Sequence, residues 1–182
     1  MQIPSREESF MKNLKRIIFS LIVGTTALSG ISAHAGWGVL GGANLYNLSD
    51  SNLDTKANVV AGLAFDGYVS EGFGLELDAL YARNETNAFS YSSVQVPVQL
   101  RFQLIPVLNI GVGGYYAYAT DEFIGHKRSD AGAVGSVRLN LPLSQVNLFV
   151  EGRYLYGLMD QFDVGDAKTR AIQALLGVVV KM

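Results

Sequence analysis

From Val146 to Leu158 the chain reads Val-Asn-Leu-Phe-Val-Glu-Gly-Arg-Tyr-Leu-Tyr-Gly-Leu, with every even-numbered position apolar, aromatic or Gly and Asn147, Glu151 and Arg153 on odd positions. Successive side chains of a strand point to opposite faces, so this segment predicts a strand with one greasy side and one charged side. The same period of two runs from Val94 to Leu104, where Val94, Val96, Val98, Leu100, Phe102 and Leu104 alternate with Gln95, Pro97, Gln99, Arg101 and Gln103. Both runs match the ~9–11 residues that a tilted strand needs to cross a bilayer, which points to a transmembrane β-barrel.

Eight such strands can be placed, at Trp37–Tyr46, Asn58–Val69, Phe73–Arg83, Ser93–Gln103, Leu108–Ala119, Ala131–Leu141, Val146–Leu158 and Ala171–Lys181. Pro97 sits well inside one of them and has no N–H for the ladder, so a bulge or local irregularity is expected there. Short connections at Ser70-Glu71-Gly72, Ile105-Pro106-Val107 and Pro142-Leu143-Ser144 alternate with long ones at about 48–57, 84–92, 120–130 and 159–170. That alternation predicts an all-β, eight-stranded antiparallel up-and-down barrel with tight periplasmic turns, longer external loops and both termini in the periplasm. The long loops hold much of the charge, including Asp50, Asp54, Lys56, Glu85, Asp121, Glu122, Lys127, Arg128, Asp160, Asp163, Asp166 and Lys168.

The first 35 residues read as a secretory signal: basic Lys12, Lys15 and Arg16, an apolar run from Ile17 to Leu28, then Ala33-His34-Ala35. The expected domain is therefore residues 36–182, with Gly36 as the new N-terminus. Met11, directly before the basic region, is a second candidate start. Without residues 1–35 the fourteen basic residues become ten and the sixteen acidic become fourteen, a charge of about −4 that gives no footing to nucleic acid. The absence of Cys excludes a disulfide framework, thiol catalysis and Cys-based metal sites.

A soluble eight-stranded barrel of the lipocalin kind also alternates, but its charged face points to water and is rich in Lys and Glu. Here the polar face carries few charges, chiefly Asp66, Glu76, Asp78, Arg101, Arg138, Glu151, Arg153 and Lys181, four acidic and four basic. Such a set suits a crowded lumen in which charges pair. Two readings of that lumen compete, a selectivity lining and a salt-bridged plug, and the narrow interior of an eight-stranded barrel favours the plug. Tyr46, Tyr81, Tyr116, Tyr118, Tyr154 and Tyr156 fall near strand ends that lead into long loops, and Trp37, Phe73 and Phe102 near the opposite ends. These are the expected interfacial girdles.

From Val94 onward, about half of the chain resembles the PorT-type outer membrane β-barrel family, small porin-like barrels related in architecture to OmpX and the OmpA membrane domain. The resemblance rests on Val96-Pro97-Val98-Gln99-Leu100-Arg101-Phe102, Gly111-Val112-Gly113-Gly114-Tyr115-Tyr116-Ala117-Tyr118, Phe149-Val150-Glu151-Gly152-Arg153-Tyr154-Leu155-Tyr156-Gly157-Leu158 and Leu175-Leu176-Gly177-Val178-Val179-Val180. It implies an integral outer-membrane protein of a Gram-negative bacterium, with no catalytic residues to carry over. Outer-membrane lipids, lipopolysaccharide and the barrel assembly machinery are the implied partners. Met182 departs from the terminal aromatic usual in such barrels, which weakens the assembly signal but keeps parity with Val178 and Val180.

Candidate chemistry is sparse, and no cofactor or metal is expected. After the signal the one His is His126, in Gly125-His126-Lys127-Arg128-Ser129-Asp130, where a His, a Ser and an Asp fall close in sequence. A lipid-modifying enzyme would need these in hydrogen-bond reach of one another; a solvated loop is the blander alternative. Asp160, Asp163 and Asp166 could hold a hard cation through oxygen ligands but lack the EF-hand pattern. The expectation is a non-enzymatic barrel with a structural or surface-interaction role, with a narrow channel for small solutes as the first alternative and an enzyme using His126 as the second.

Overall fold

In the computed structural model the residues described are 34–48, 56–70, 72–85, 90–121, 128–143, 145–160 and 168–181. They form eight antiparallel strands: β1 (His34–Leu48), β2 (Ala57–Ser70), β3 (Phe73–Glu85), β4 (Ser90–Ile105), β5 (Leu108–Ala119), β6 (Ser129–Pro142), β7 (Val146–Asp160) and β8 (Lys168–Lys181). Each pairs with its sequence neighbours, and β1 pairs with β8 to close the barrel. Most of the proposed signal segment lies outside the described residues; the strand nonetheless begins two residues before Gly36, with His34 and Ala35 opposite Tyr68 and Gly67.

Register fixes the geometry. Stepping across the ladder from Gln103 through Asn109, Arg138, Glu151, Leu175, Gly42, Val60 and Ala82 returns to β4 at Ser93, ten residues from the start. With about 3.3 Å per residue and about 4.8 Å between strands, that stagger gives a strand tilt of roughly 40° and a mean backbone radius of about 8 Å. The interior then has room for side chains and little else.

Alternation is nearly unbroken. Along β4 the outward residues Val94, Val96, Val98, Leu100 and Phe102 are exposed, while Gln95, Pro97, Gln99 and Arg101 are buried. β7 repeats this, with Val150, Tyr154 and Tyr156 outside and Glu151, Arg153 and Leu155 inside. At Pro97 the β3–β4 pairing lapses between Leu77↔Val98 and Leu80↔Gln95 and resumes in the same register. The irregularity expected there is therefore a gap in the ladder with no residue inserted, as the loss of one N–H requires.

The strands extend past the predicted ends on the loop side, so Ser129, Asp130 and Lys168, expected in loops, are strand residues. Trp37, Tyr81, Phe102, Tyr116, Tyr118, Tyr154 and Tyr156 point outward and are exposed, and Phe73 is half-buried against Phe102, their ring centroids 5.4 Å apart. Tyr46 corrects the expected girdle. It is only 2% exposed, because on β1 the odd positions Trp37, Val39 and Leu45 face outward and an even one must face the lumen.

The closing seam depends on backbone contact. A Cβ on Gly38 would collide with the carbonyl oxygen of Val178, and one on Gly42 with that of Ala174, both across the β1–β8 ladder. Around Gly152, by contrast, the space is open. Gly42→Val is therefore expected to remove most of the compact, heat-modifiable species on an unboiled gel, whereas Gly152→Ala should leave its yield unchanged.

Candidate functional site

The feature with the most concentrated chemistry is the lumen. Seven of the eight expected lumenal charges meet inside the turn-proximal half of the barrel: Asp66 on β2, Glu76 and Asp78 on β3, Arg101 on β4, Arg138 on β6, and Glu151 and Arg153 on β7, all buried. The eighth, Lys181, ends β8, and its side chain lies outside the described residues.

Two glutamates form the hub. Glu76 takes the guanidinium groups of Arg101 at 2.6 Å, Arg153 at 3.0 Å and Arg138. Glu151 takes the same three, Arg101 at 2.7 Å, Arg138 at 2.6 Å and Arg153 at 2.9 Å. The two aspartates are peripheral: Asp66 meets Arg138 at 3.2 Å and Asp78 meets Arg153 at 2.8 Å. Each arginine thus bridges two strands or more, a task suited to the planar fork of guanidinium and not to the single point charge of lysine. Neutral groups complete the cluster, since Arg101 Nη1 donates to Ser136 Oγ at 2.8 Å and Ser136 Oγ donates to Gln99 Oε1 at 2.7 Å. The Arg138 guanidinium lies 3.9 Å from the centre of the Phe149 ring, within cation–π range.

Nearer the loops a second layer is uncharged. Gln173 Nε2 donates to Gln95 Oε1 at 3.0 Å, Asn44 Nδ2 donates to Asn84 Oδ1 at 2.9 Å, and Asn84 Nδ2 donates to Ser93 Oγ at 3.0 Å. Above it Tyr46, Tyr91 and Tyr115 line a recess of about 340 Å³, counting space open to solvent. Tyr46 and Tyr91 meet edge to face at 5.7 Å. The Tyr115 hydroxyl donates to Asp130 Oδ2 at 2.7 Å. Sequence reasoning did not single out Asn44, Asn84, Tyr91, Tyr115 or Gln173, and it placed Asp130 in a loop beside His126 and Ser129; strand parity was the signal that could have put all six in the lumen.

The His-Ser-Asp grouping does not converge in the described residues. Ser129 and Asp130 are consecutive on β6 and point to opposite faces: Tyr116, outside, donates to Ser129 Oγ at 2.9 Å, whereas Asp130 is held inside by Tyr115. His126 lies outside the described residues, as do Asp163 and Asp166.

The fold has known counterparts. The chain is similar to the Neisserial surface protein A, with a TM-score of 0.57 at 12% identity over 83% of this chain and 99% of that one. It is similar also to Ail, the attachment invasion locus protein of Yersinia pestis, with a TM-score of 0.55 at 13% identity over 84% of this chain and 100% of that one. At these identities the likeness establishes the closed eight-stranded barrel. No family model matches the chain and no curated protein does, so the narrower PorT-type resemblance gains no support.

Removing one partner from a buried ion cluster costs ~3–5 kcal/mol because the charges left behind are uncompensated. Arg153→Ala is accordingly expected to lower the thermal midpoint in detergent clearly, by a stability loss on that order. Lys56→Ala, which breaks the more exposed pair to Glu85 at 2.9 Å, should change stability by no more than ~1 kcal/mol. An Arg153→Ala midpoint as high as that of the unaltered chain would remove the network from the account of stability.

Proposed function

We propose that this chain is an integral outer-membrane barrel of a Gram-negative envelope, exported by a signal segment, whose role is structural or surface-presenting. One observation carries this reading: the barrel's exterior is apolar while the seven charges of the turn-proximal lumen, and Asp130 nearer the loops, are buried, the inverse of a water-soluble barrel. Val94, Val96, Val98, Leu100 and Phe102 form an unbroken exposed ridge on β4, and Val137, Leu139 and Leu141 another on β6. In water such ridges would join into an apolar patch far beyond what soluble monomers expose; in hydrocarbon they need no cover.

The filled lumen supports a closed barrel over a channel. Three guanidinium groups lie across the lumen and touch carboxylates from β2, β3 and β7, in an interior just wide enough for side chains to fill. The opposite orientations of Ser129 and Asp130 favour a non-enzymatic reading. Under it the partners are outer-membrane lipids, lipopolysaccharide and the assembly machinery that inserts the strands, and any surface partner is met by the loops.

Fractionation of cells expressing the chain, followed by gel electrophoresis with and without boiling, tests the reading. The protein is expected in the outer-membrane fraction with a mobility that changes on heating; recovery in the soluble periplasm with unchanged mobility would refute it. In a planar bilayer the purified barrel should give no discrete conductance steps, and regular steps would favour the channel.

A further inference from the structure

The three short turns are unlike one another in a way that the closed barrel does not require. At the β2–β3 turn Ser70 and Gly72 are exposed. At the β4–β5 turn the exposed residues are Leu104, Ile105, Pro106 and Val107, and Leu141 and Leu143 are exposed at the β6–β7 turn. Leu104 is 56% exposed and Leu141 62%, as bare as side chains in the middle of the outer belt. The turns are also well formed: Gln103 N donates to Gly72 O at 2.9 Å, Asn140 N to Val107 O at 2.8 Å, and Leu143 N to Val146 O at 2.9 Å. The apolar residues are therefore displayed by a hydrogen-bonded rim.

Depth along the barrel axis gives this display a meaning. The ten-residue stagger, spread over eight strands, puts Trp37, Phe73 and Phe102 within about two residues of one level and Tyr81, Tyr116, Tyr118, Tyr154 and Tyr156 within about three residues of another. At roughly 2.5 Å of axial rise per tilted residue the two aromatic levels are about 18 Å apart, less than the ~25 Å apolar band usual for such barrels. The apolar turns continue the outward ridges of β4 and β6 past the lower aromatic level by roughly 5–8 Å, which restores the usual height. Among the described residues they do so on the β4–β7 arc alone. On the opposite arc the belt ends at Trp37 and Phe73, and Ser70 and Gly72 follow.

We propose that Ile105, Pro106 and Val107 of the β4–β5 turn and Leu143 of the β6–β7 turn are seated among the acyl chains of the periplasmic leaflet, so that the barrel is anchored more deeply along β4–β7 than along β8–β3. The occupant is phospholipid, because the patch is continuous with the lipid-facing ridges and is not a separate island. This inference rests on the membrane reading above. It adds that one rim of the barrel is itself a lipid-binding surface, and that the barrel axis is inclined in the bilayer.

The chain has no Cys, so single-cysteine variants report cleanly. Val98→Cys, Gly72→Cys, Val107→Cys and Leu143→Cys, each carrying an environment-sensitive fluorophore, are folded into phosphatidylcholine vesicles containing lipids with a doxyl group either near the headgroup end of the chain, to reach the rim, or near its methyl end, to reach position 98. Iodide serves as the aqueous quencher. The expected result is strong doxyl quenching and weak iodide quenching at 107 and 143, as at 98, with the reverse at 72. Iodide quenching at 107 and 143 equal to that at 72, with 98 still in lipid, would overturn the inference alone. Iodide quenching at 98 as well would overturn the membrane reading beneath it. Shielding of 107 and 143 from both quenchers would mean protein in place of lipid on this rim, and would also overturn the inference.

Discussion

A cylinder of eight strands with a ten-residue stagger encloses a space about one layer of side chains deep, and every other residue of every strand must enter it. That confinement governs the rest of the structure. Inward positions below the loop-side recess are shielded from water, so the charged groups placed there find their partners in one another. Outward positions face the opposite demand. The two requirements are imposed on neighbouring residues of one strand, and the period of two is the only pattern that meets both.

The ion cluster is the sharpest answer to the inward demand. Four carboxylates face three guanidinium groups, and the geometry is not a set of independent pairs: Glu76 and Glu151 each take all three arginines, while Asp66 and Asp78 take one apiece. Charges shared in this way fasten β2, β3, β4, β6 and β7 to one another through the lumen, in addition to the ladder around the wall. Beside the charges, β7, β8, β1, β2 and β3 also contribute Leu40, Val60, Ala64, Leu80, Phe149, Leu175 and Val179, packed as an apolar cluster. Buried charge is a weak route to stability as such. Its directional bonds do, however, specify one register among those that the apolar wall alone would tolerate.

How much of this was legible in the sequence follows from the same distinction. Parity was legible, because alternation in β4 and β7 is a local pattern, and it was enough to place Arg101, Glu151 and Arg153 inside. Which carboxylate meets which arginine was not, because partners such as Asp66 and Arg138 are separated by 72 residues and meet only through the stagger of the whole barrel. Tyr46 shows where a local rule misleads. Its position near a strand end resembles that of Tyr81, but parity on β1 overrides position and turns it inward. The strand extensions at Ser129 and Asp130 were hidden for a related reason: beyond the apolar belt the ladder continues with no greasy face to mark it.

The loop side of the barrel is tied off before the loops begin. Ala119 N donates to Arg128 O at 2.7 Å and Thr120 N to Ser92 O at 2.9 Å, while Ser92 N donates to Asp121 Oδ2 at 2.9 Å. On the neighbouring pair Asn58 Nδ2 donates to Lys56 O at 3.0 Å and to Glu85 O at 3.2 Å. These bonds close β2 to β3, β4 to β5 and β5 to β6 at the loop bases, and below them the lumenal layers fill the interior. Among the described residues the bonds that close this end come from the strands together with the loop-base residues Lys56, Thr120, Asp121 and Arg128, so closure is satisfied at the barrel wall before the chain leaves it.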